Sequence, residues 1–187
     1  NDGTNMFIIG STGVDVNEYS LSIAFDVSSA SFAGNSERFS VVSQESVPLG
    51  ISFNNDGTKM YVIGNSGDEV NEYSLSTAFD VSSASYVQRF IISAQENYPQ
   101  GVQFNNNGTK MYVIGSNGDE VNEYSLSTAF DVSTAAYTQV FSVNSQDINP
   151  SGLVFNNNGT KMFVVGDQGN DVNEYSLSTA FDVSTAS

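Results

Sequence analysis

Carboxylates are the side chains most able to do chemistry in this sequence, because the chain contains no histidine and no cysteine. Their absence excludes a Ser–His–Asp triad, a thiolate nucleophile and a zinc site built from those residues. The carboxylates instead recur in sets along the chain. Their remaining chemical roles are general acid–base catalysis, oxygen ligation of a hard cation, or a structural role.

One set lies in glycine-rich segments and could ligate a cation through Asp15, Asp68, Glu69, Asp119, Glu120 and Asp171. Oxygen-rich loops that contain glycine bind Ca²⁺, but the alternating Asp-x-Asp-x-Asp-Gly ladder of calcium loops is missing. Aspartate and glycine are also favoured in tight turns for backbone reasons alone. The turn interpretation is therefore favoured and no cofactor is predicted, with Ca²⁺ kept as the candidate ion.

Two further sets recur in every repeat and favour a structural role. The first set consists of glutamates in a half-polar strand, which are Glu18, Glu72, Glu123 and Glu174. Lysines on the adjacent strand are their candidate partners, and Asn5 replaces the lysine in the first unit. The second set consists of aspartates that precede Val-Ser, which are Asp26, Asp80, Asp131 and Asp182. A short carboxylate at such a position can accept hydrogen bonds from backbone N–H groups in a turn. A catalytic centre is ordinarily one asymmetric constellation, so no catalytic residue is predicted from these copies.

The elements that carry these residues are internal repeats. An Asp/Asn-Gly-Thr-x-Met segment places glycines at 3, 57, 108 and 159, at spacings of 54, 51 and 51 residues. Asn-Glu-Tyr-Ser-Leu-Ser and Ala-Phe-Asp-Val-Ser recur in the same phase. We predict a single repeat domain over residues 1–187, with units at about 1–49, 50–100, 101–151 and 152–187, the first and last incomplete.

Each unit is predicted to contain four short strands, which in the second unit lie at 50–53, 59–63, 70–76 and 86–93. The run from Met60 to Ile63 is apolar without alternation, which is typical of a strand covered on both sides. Four-stranded antiparallel units covered by their neighbours are typical of propeller blades. We therefore predict an all-β, β-propeller-like array of about four repeats, with Phe53, Phe104 and Phe155 almost fully buried.

The segment Asp-Gly-Thr-Lys-Met-Tyr-Val-Ile-Gly resembles an element of bacterial surface propellers of the YncE-like and NHL-like kind. The fuller unit, Val-Asn-Glu-Tyr-Ser-Leu-Ser-Thr-Ala-Phe-Asp-Val-Ser-Thr-Ala, resembles repeats of extracellular or virion-associated proteins of aquatic bacteria and their phages. The resemblance covers essentially the whole chain. It implies an extracellular, cell-surface or virion-associated location, and it is specific for architecture rather than activity.

Charge and hydropathy limit the partners. Twenty-one acidic residues against five basic ones give a net charge of −16, which disfavours nucleic acids and anionic membranes. No apolar run approaches the roughly 20 residues of a membrane span. The sequence opens at Asn1 inside a repeat unit, so we expect copies of the chain itself, or further repeats of a longer chain, to cover its end faces.

These observations lead to a prediction of a non-enzymatic extracellular structural or adhesion repeat protein that can self-assemble. The alternative is a carbohydrate- or protein-binding propeller of the lectin type, with tyrosine and amide side chains on one rim. A carboxylate-based enzyme ranks third, because fold alone does not decide function.

Overall fold

The computed structural model describes residues 2–32 and 34–187. In this part of the chain the strands form four successive antiparallel sheets, each a blade of a β-propeller. The prediction of an all-β, propeller-like array is confirmed. The helices of the described residues are short 3-10 turns, and none has the length and apolarity needed to cross a membrane.

The strands follow one another in chain order, blade by blade. The first blade contains β1 (Asn5–Gly10), β2 (Asp15–Leu21), β3 (Ala30–Phe32) and β4 (Arg38–Ser40). The second contains β5 (Pro48–Phe53), β6 (Lys59–Gly64), β7 (Glu69–Leu75) and β8 (Ala84–Ile91). The third contains β9 (Pro99–Phe104), β10 (Lys110–Gly115), β11 (Glu120–Leu126) and β12 (Ala135–Ser142). The fourth contains β13 (Pro150–Phe155), β14 (Lys161–Gly166) and β15 (Val172–Ser176). The 3-10 helices are Val27–Ser29, Asn35–Glu37, Val81–Ser83, Val132–Thr134 and Val183–Thr185.

Within the second, third and fourth blades each strand pairs with the next one, and across blades the innermost strands β5, β9 and β13 contact one another in turn. The outer strand of the first blade is divided, so that β2 pairs with both β3 and β4. The division falls at the insertion around residues 33–37, of which Ala33 lies outside the described residues.

The apolar run of β6 is buried on both faces, as its lack of alternation predicts, and its four side chains have no exposed surface. Met60 and Val62 pack toward the first blade, while Tyr61 and Ile63 pack toward the third. Successive side chains of a strand point to opposite faces, so one strand contributes to two inter-blade cores. Burial of each of these side chains contributes roughly 1.5–3 kcal/mol to the stability of the fold.

The strand-end phenylalanines Phe53, Phe104 and Phe155 are only partly buried, so the prediction of almost complete burial is wrong. Each is the last residue of an innermost strand, where the sheet gives way to a turn and packing is incomplete. The Phe104 ring still lies 4.3 Å from the Tyr61 ring and 5.7 Å from the Phe130 ring, measured between centroids.

The turn before β10 is tied to the turn after β11 through Gly108 and Phe130. Gly108 has a φ of +70°, and a Cβ built on it would lie 2.2 Å from the Phe130 ring. The Phe130 N–H donates to the Gly108 carbonyl at 2.9 Å. Both the left-handed backbone and the closeness of the ring therefore require glycine.

We expect Gly108→Ala to lower the free energy of unfolding by about 2 kcal/mol or more, because it adds left-handed strain and a steric clash. Urea denaturation measures this loss. Gly10→Ala is the matched control, since Gly10 has ordinary φ and nothing within 4 Å of its Cβ position. Equal effects of the two substitutions would contradict this account.

Candidate functional site

Glu72 lies at the centre of a polar junction between the second and third blades. Its Oε1 accepts a hydrogen bond from Lys59 Nζ at 2.7 Å. Its Oε2 accepts from Gln88 Nε2 at 3.0 Å and from the backbone N–H of Val132, in the next blade, at 3.1 Å. A buried carboxylate requires such partners. The proposed lysine–glutamate pair is confirmed, and both oxygens of Glu72 are engaged in holding blades together.

The same junction binds the backbone carbonyl of Phe130. Lys59 Nζ donates to this oxygen at 2.8 Å and the Tyr61 hydroxyl donates to it at 2.7 Å. Burial raises the pKa of Tyr61, which keeps its hydroxyl protonated as a donor. We call Lys59, Tyr61, Glu72 and Gln88 the socket, and the next blade's segment 130–132 the plug.

The junction between the third and fourth blades repeats this arrangement. Lys110 Nζ lies 2.7 Å from Glu123 Oε1, and Glu123 Oε2 accepts from the Val183 N–H at 3.1 Å. The Phe181 carbonyl accepts from Lys110 Nζ at 2.7 Å and from the Tyr112 hydroxyl at 2.6 Å. The repetition of every contact indicates a structural role for this set of glutamates.

The first and fourth blades depart from this pattern. Glu18 accepts from Asn5 Nδ2 at 2.8 Å and from the Val81 N–H at 3.1 Å, but Asn5 stands where the other sockets have a lysine. Burial raises the pKa of Glu18, and neighbouring carboxylates add to this shift. In the fourth blade Lys161 Nζ lies 2.5 Å from Glu174 Oε1, and both side chains are nearly half exposed.

We expect Glu72→Gln to destabilise the fold by roughly 2 kcal/mol, because Lys59 loses its counter-charge at a desolvated junction. Glu18→Gln is the matched control. Because the pKa of Glu18 is raised on folding, its ionisation opposes folding, and the neutral amide should leave stability at neutral pH unchanged or higher.

Urea denaturation at neutral and acidic pH checks both expectations. The difference between the native chain and Glu18→Gln should shrink as the pH falls through the raised pKa toward the ordinary carboxyl range, because Glu18 is then neutral in both states. If Glu18→Gln lowered the free energy of unfolding as much as Glu72→Gln, the different roles assigned to these two glutamates would be contradicted.

The aspartates before Val-Ser form the predicted turns. Asp80 Oδ1 accepts from the Ser82 N–H at 2.9 Å, and the same bond two residues on is formed by Asp26, Asp131 and Asp182. Hydrogen bonds from Ser133 hold the pKa of Asp131 below its ordinary value. These carboxylates cap the 3-10 helices that carry the plug segments, which confirms the turn interpretation.

The six cation candidates lie at four places in the chain, at or just before the first residues of β2, β7, β11 and β15. Asp15 Oδ2 lies 3.3 Å from Arg38 Nε, and Glu69 Oε2 lies 3.0 Å from Arg89 Nη1. Asp119 accepts from the Asn144 amide at 2.8 Å and Asp171 accepts from the Asn173 amide at 3.0 Å. Burial raises the pKa of Glu120. Within residues 2–32 and 34–187, no three His, Cys, Asp or Glu side chains are grouped so as to hold a metal ion. The prediction of no cofactor is untested, and Ca²⁺ stays the candidate ion.

Sequence reasoning missed a buried set formed by Glu45, Glu96 and Asp147. Glu45 accepts from the backbone N–H groups of Val47 at 2.7 Å and Ser66 at 3.1 Å. These bonds fasten the connection between blades to the glycine-rich loop of the following blade. The signal was present in the sequence, since each of the three acids follows a glutamine and stands three residues before a proline.

A polar pocket of about 320 Å³ opens beside that loop and is lined by Asn65, Asp68, Asn97 and Tyr98. Asp68 has a left-handed φ of 48°. Burial raises the pKa of the Asp68 carboxyl, and the charge of Glu45 raises it further. Tyr98 is 51% exposed and offers its ring to solvent. The pocket therefore combines a carboxylate of raised proton affinity with two amides and an aromatic face.

This pocket is not repeated in the neighbouring blades. The corresponding positions of the third blade hold Ser116, Asp119, Ile148 and Asn149. Those of the first blade hold Ser11, Val14, Ser46 and Val47. The combination at the second blade is thus one asymmetric constellation, as a catalytic centre ordinarily is, and it differs in this from the carboxylate sets that recur in every repeat.

A second polar pocket, of about 310 Å³, contains Asp2, Asn5 and Phe79. The Asp2 carboxylate accepts from the Thr4 N–H at 3.0 Å and the Thr4 hydroxyl at 2.6 Å. These bonds lower the pKa of Asp2, which makes it a poor base. The pocket at Asp68 is therefore the better candidate.

Solved propellers resemble this chain across nearly its whole length. A candidate 6-phosphogluconolactonase from Bacteroides fragilis is 17% identical with a TM-score of 0.66, over 98% of this chain and 49% of that one. A second, from Bacteroides uniformis, is 13% identical with a TM-score of 0.64, over 95% and 52%. The periplasmic gluconolactonase of Pseudomonas aeruginosa is 12% identical with a TM-score of 0.59, over 95% and 48%. This chain thus spans about half the length of these proteins.

These comparisons establish the β-propeller fold and overturn one prediction. The expectation of a non-enzymatic structural or adhesion protein is wrong, because the similar propellers include proteins described as lactonases. No protein-family model and no curated protein matches the sequence. The resemblance to YncE-like and NHL-like propellers therefore rests on the repeat motifs alone.

Proposed function

We propose that this chain is a propeller hydrolase that opens neutral sugar lactones at the pocket formed by Asn65, Asp68, Asn97 and Tyr98. The observation that carries the proposal is the asymmetry of this pocket within an otherwise repeated architecture. The lactonases among the similar propellers support the reaction class, although identities of 12–17% bear on the fold alone.

Asp68 serves as the general base. Its carboxylate takes a proton from water while the water oxygen attacks the lactone carbonyl, and the resulting oxyanion accepts hydrogen bonds from the Asn65 and Asn97 amides. The ring C–O bond then breaks, and the protonated Asp68 returns its proton to the leaving alkoxide. One water is consumed and one hydroxy acid is released. A raised pKa suits this role, because it brings the proton affinity of the carboxyl closer to that required near neutral pH.

Electrostatics favour a neutral lactone over a phosphorylated one. The four lining residues include no lysine or arginine, and the nearby Arg89 is already paired with Glu69 at 3.0 Å. A phosphate would face the Asp68 carboxylate, whose pKa the charge of Glu45 already raises, in a chain of net charge −16. The exposed Tyr98 ring provides a flat apolar surface for the sugar carbons, in the manner of aromatic rings at binding surfaces.

Asp68→Asn should reduce hydrolysis of glucono-δ-lactone roughly 100-fold or more relative to the native chain, the range for loss of a general base. Asp119→Asn is the matched control, because Asp119 holds the same loop position with a φ of 53°. Asparagine tolerates the left-handed region, so neither variant strains the backbone. A pH-stat assay corrected for spontaneous hydrolysis measures both. Equal rates for the two variants, or no rate above background for the native chain, would reject the proposal.

The pH dependence gives a separate prediction. The catalysed rate should rise with pH as Asp68 loses its proton, with its midpoint above the ordinary aspartate value of 3.8. The rate of Asp119→Asn should follow the same curve. A midpoint at or below the ordinary value would assign the titration to a different carboxylate.

A further inference from the structure

The junction between the first and second blades lacks both side-chain donors that bind the plug carbonyl elsewhere. At the next junction, the lysine and the tyrosine of the socket donate to the Phe130 carbonyl at 2.8 and 2.7 Å. In the first blade Asn5 and Phe7 stand in their places. Among the described residues, none donates a hydrogen bond to the equivalent carbonyl of Phe79. This junction therefore keeps the acceptor of the ammonium group and lacks the ammonium group itself.

A pocket of about 310 Å³ opens where these side chains are exchanged. Asn5 and Phe7 line it from the first blade, and Phe79 lines it from the second. In the second blade the turn before the strand does not fill this place, because Asn54 Oδ1 accepts from the Lys59 backbone N–H at 2.9 Å. The socket residues themselves, rather than the turn before them, therefore decide whether the place is filled.

The charge at this pocket is more negative than at the next junction. Asn5 replaces a lysine, and Glu37 stands where the socket of the second blade has a glutamine, so one positive charge is lost and one negative charge is gained. Burial raises the pKa of Glu18, and the charges of Glu37 and Asp80 raise it further. Arg38 does not compensate, because it is paired with another carboxylate at 3.3 Å. The pocket therefore favours a cationic ligand.

We propose that this pocket binds a primary alkylammonium ion, whose nitrogen takes the place of the lysine Nζ. The ammonium group lies between the Glu18 carboxylate and the Phe79 carbonyl, which correspond to the two acceptors of the lysine nitrogen in the second blade. Its third N–H is directed to Asn5 Oδ1, since the Asn5 amide nitrogen already donates to Glu18 at 2.8 Å. The alkyl chain packs on the Phe7 ring, which also attracts the cation. This inference does not depend on the proposed reaction.

Calorimetric titration of the 187-residue chain with n-butylamine at neutral pH tests the proposal. Binding is expected in the millimolar range, because the ligand is small. Butan-1-ol has the same chain length without the charge and should not bind. Tetramethylammonium carries the charge without an N–H donor and should bind roughly 10-fold more weakly or worse. No binding of the amine, or equal binding of either control compound, would overturn the proposal.

Three variants locate the site. Asn5→Lys supplies the ammonium group from the chain itself, so it should abolish butylamine binding and raise the melting temperature. Glu18→Gln removes the carboxylate acceptor and should abolish binding in a chain that stays folded by circular dichroism. Val87→Lys adds the same charge at an exposed position of β8 and should leave binding unchanged.

Retained binding in Asn5→Lys or Glu18→Gln would overturn the proposal, as would lost binding in Val87→Lys. A lowered melting temperature of Asn5→Lys would also overturn it, because the acceptors proposed for the ammonium group would then be absent.

Discussion

The whole array depends on a charged side chain of one blade reaching the backbone of the next. Apolar burial brings blades together but does not fix their relative position, because the hydrophobic effect has no direction. Lys59 and Glu72 supply that direction by binding a carbonyl and an N–H that lie two residues apart in the following blade. Phe130 presents its carbonyl only through a left-handed backbone that Gly108 makes room for. The contact between neighbouring blades thus depends on the turn glycine, the aspartate cap and the lysine–glutamate pair together.

The fold could be predicted because its determinants are local and repeated. The unbroken apolar run at 60–63 implied coverage on both faces, and the spacing of Lys59 and Glu72 suggested their pairing across adjacent strands. Details that depend on tertiary packing were harder to predict from the sequence. The outer strand of the second blade begins at Ala84 rather than residue 86, and Phe104 ends its strand half-buried. The role of Glu45 also escaped notice, because one of its partners, the Ser66 N–H, lies across a blade boundary.

The candidate site escaped sequence reasoning for a related reason. Repetition indicated a structural role for the strand glutamates and for the aspartates before Val-Ser, which their contacts bear out, but it directed attention to what the units share. Asn65 and Asp68 lie about 30 residues from Asn97 and Tyr98, on two different loops of the second unit, and only the folded chain places the four around one pocket. In a repeat protein the positions at which one unit differs from the others are therefore the more informative ones for function.

The preformed pair of Lys161 and Glu174 bears on how such an array is synthesised. Chains fold from the N-terminal end as they leave the ribosome. The second, third and fourth blades each present a lysine and a glutamate that neutralise each other, as Lys161 and Glu174 do, whereas the first blade presents Glu18 beside Asn5. When the third or the fourth blade is added, its turn therefore meets an ion pair that is already formed. These two steps do not require the desolvation of an unpaired ion.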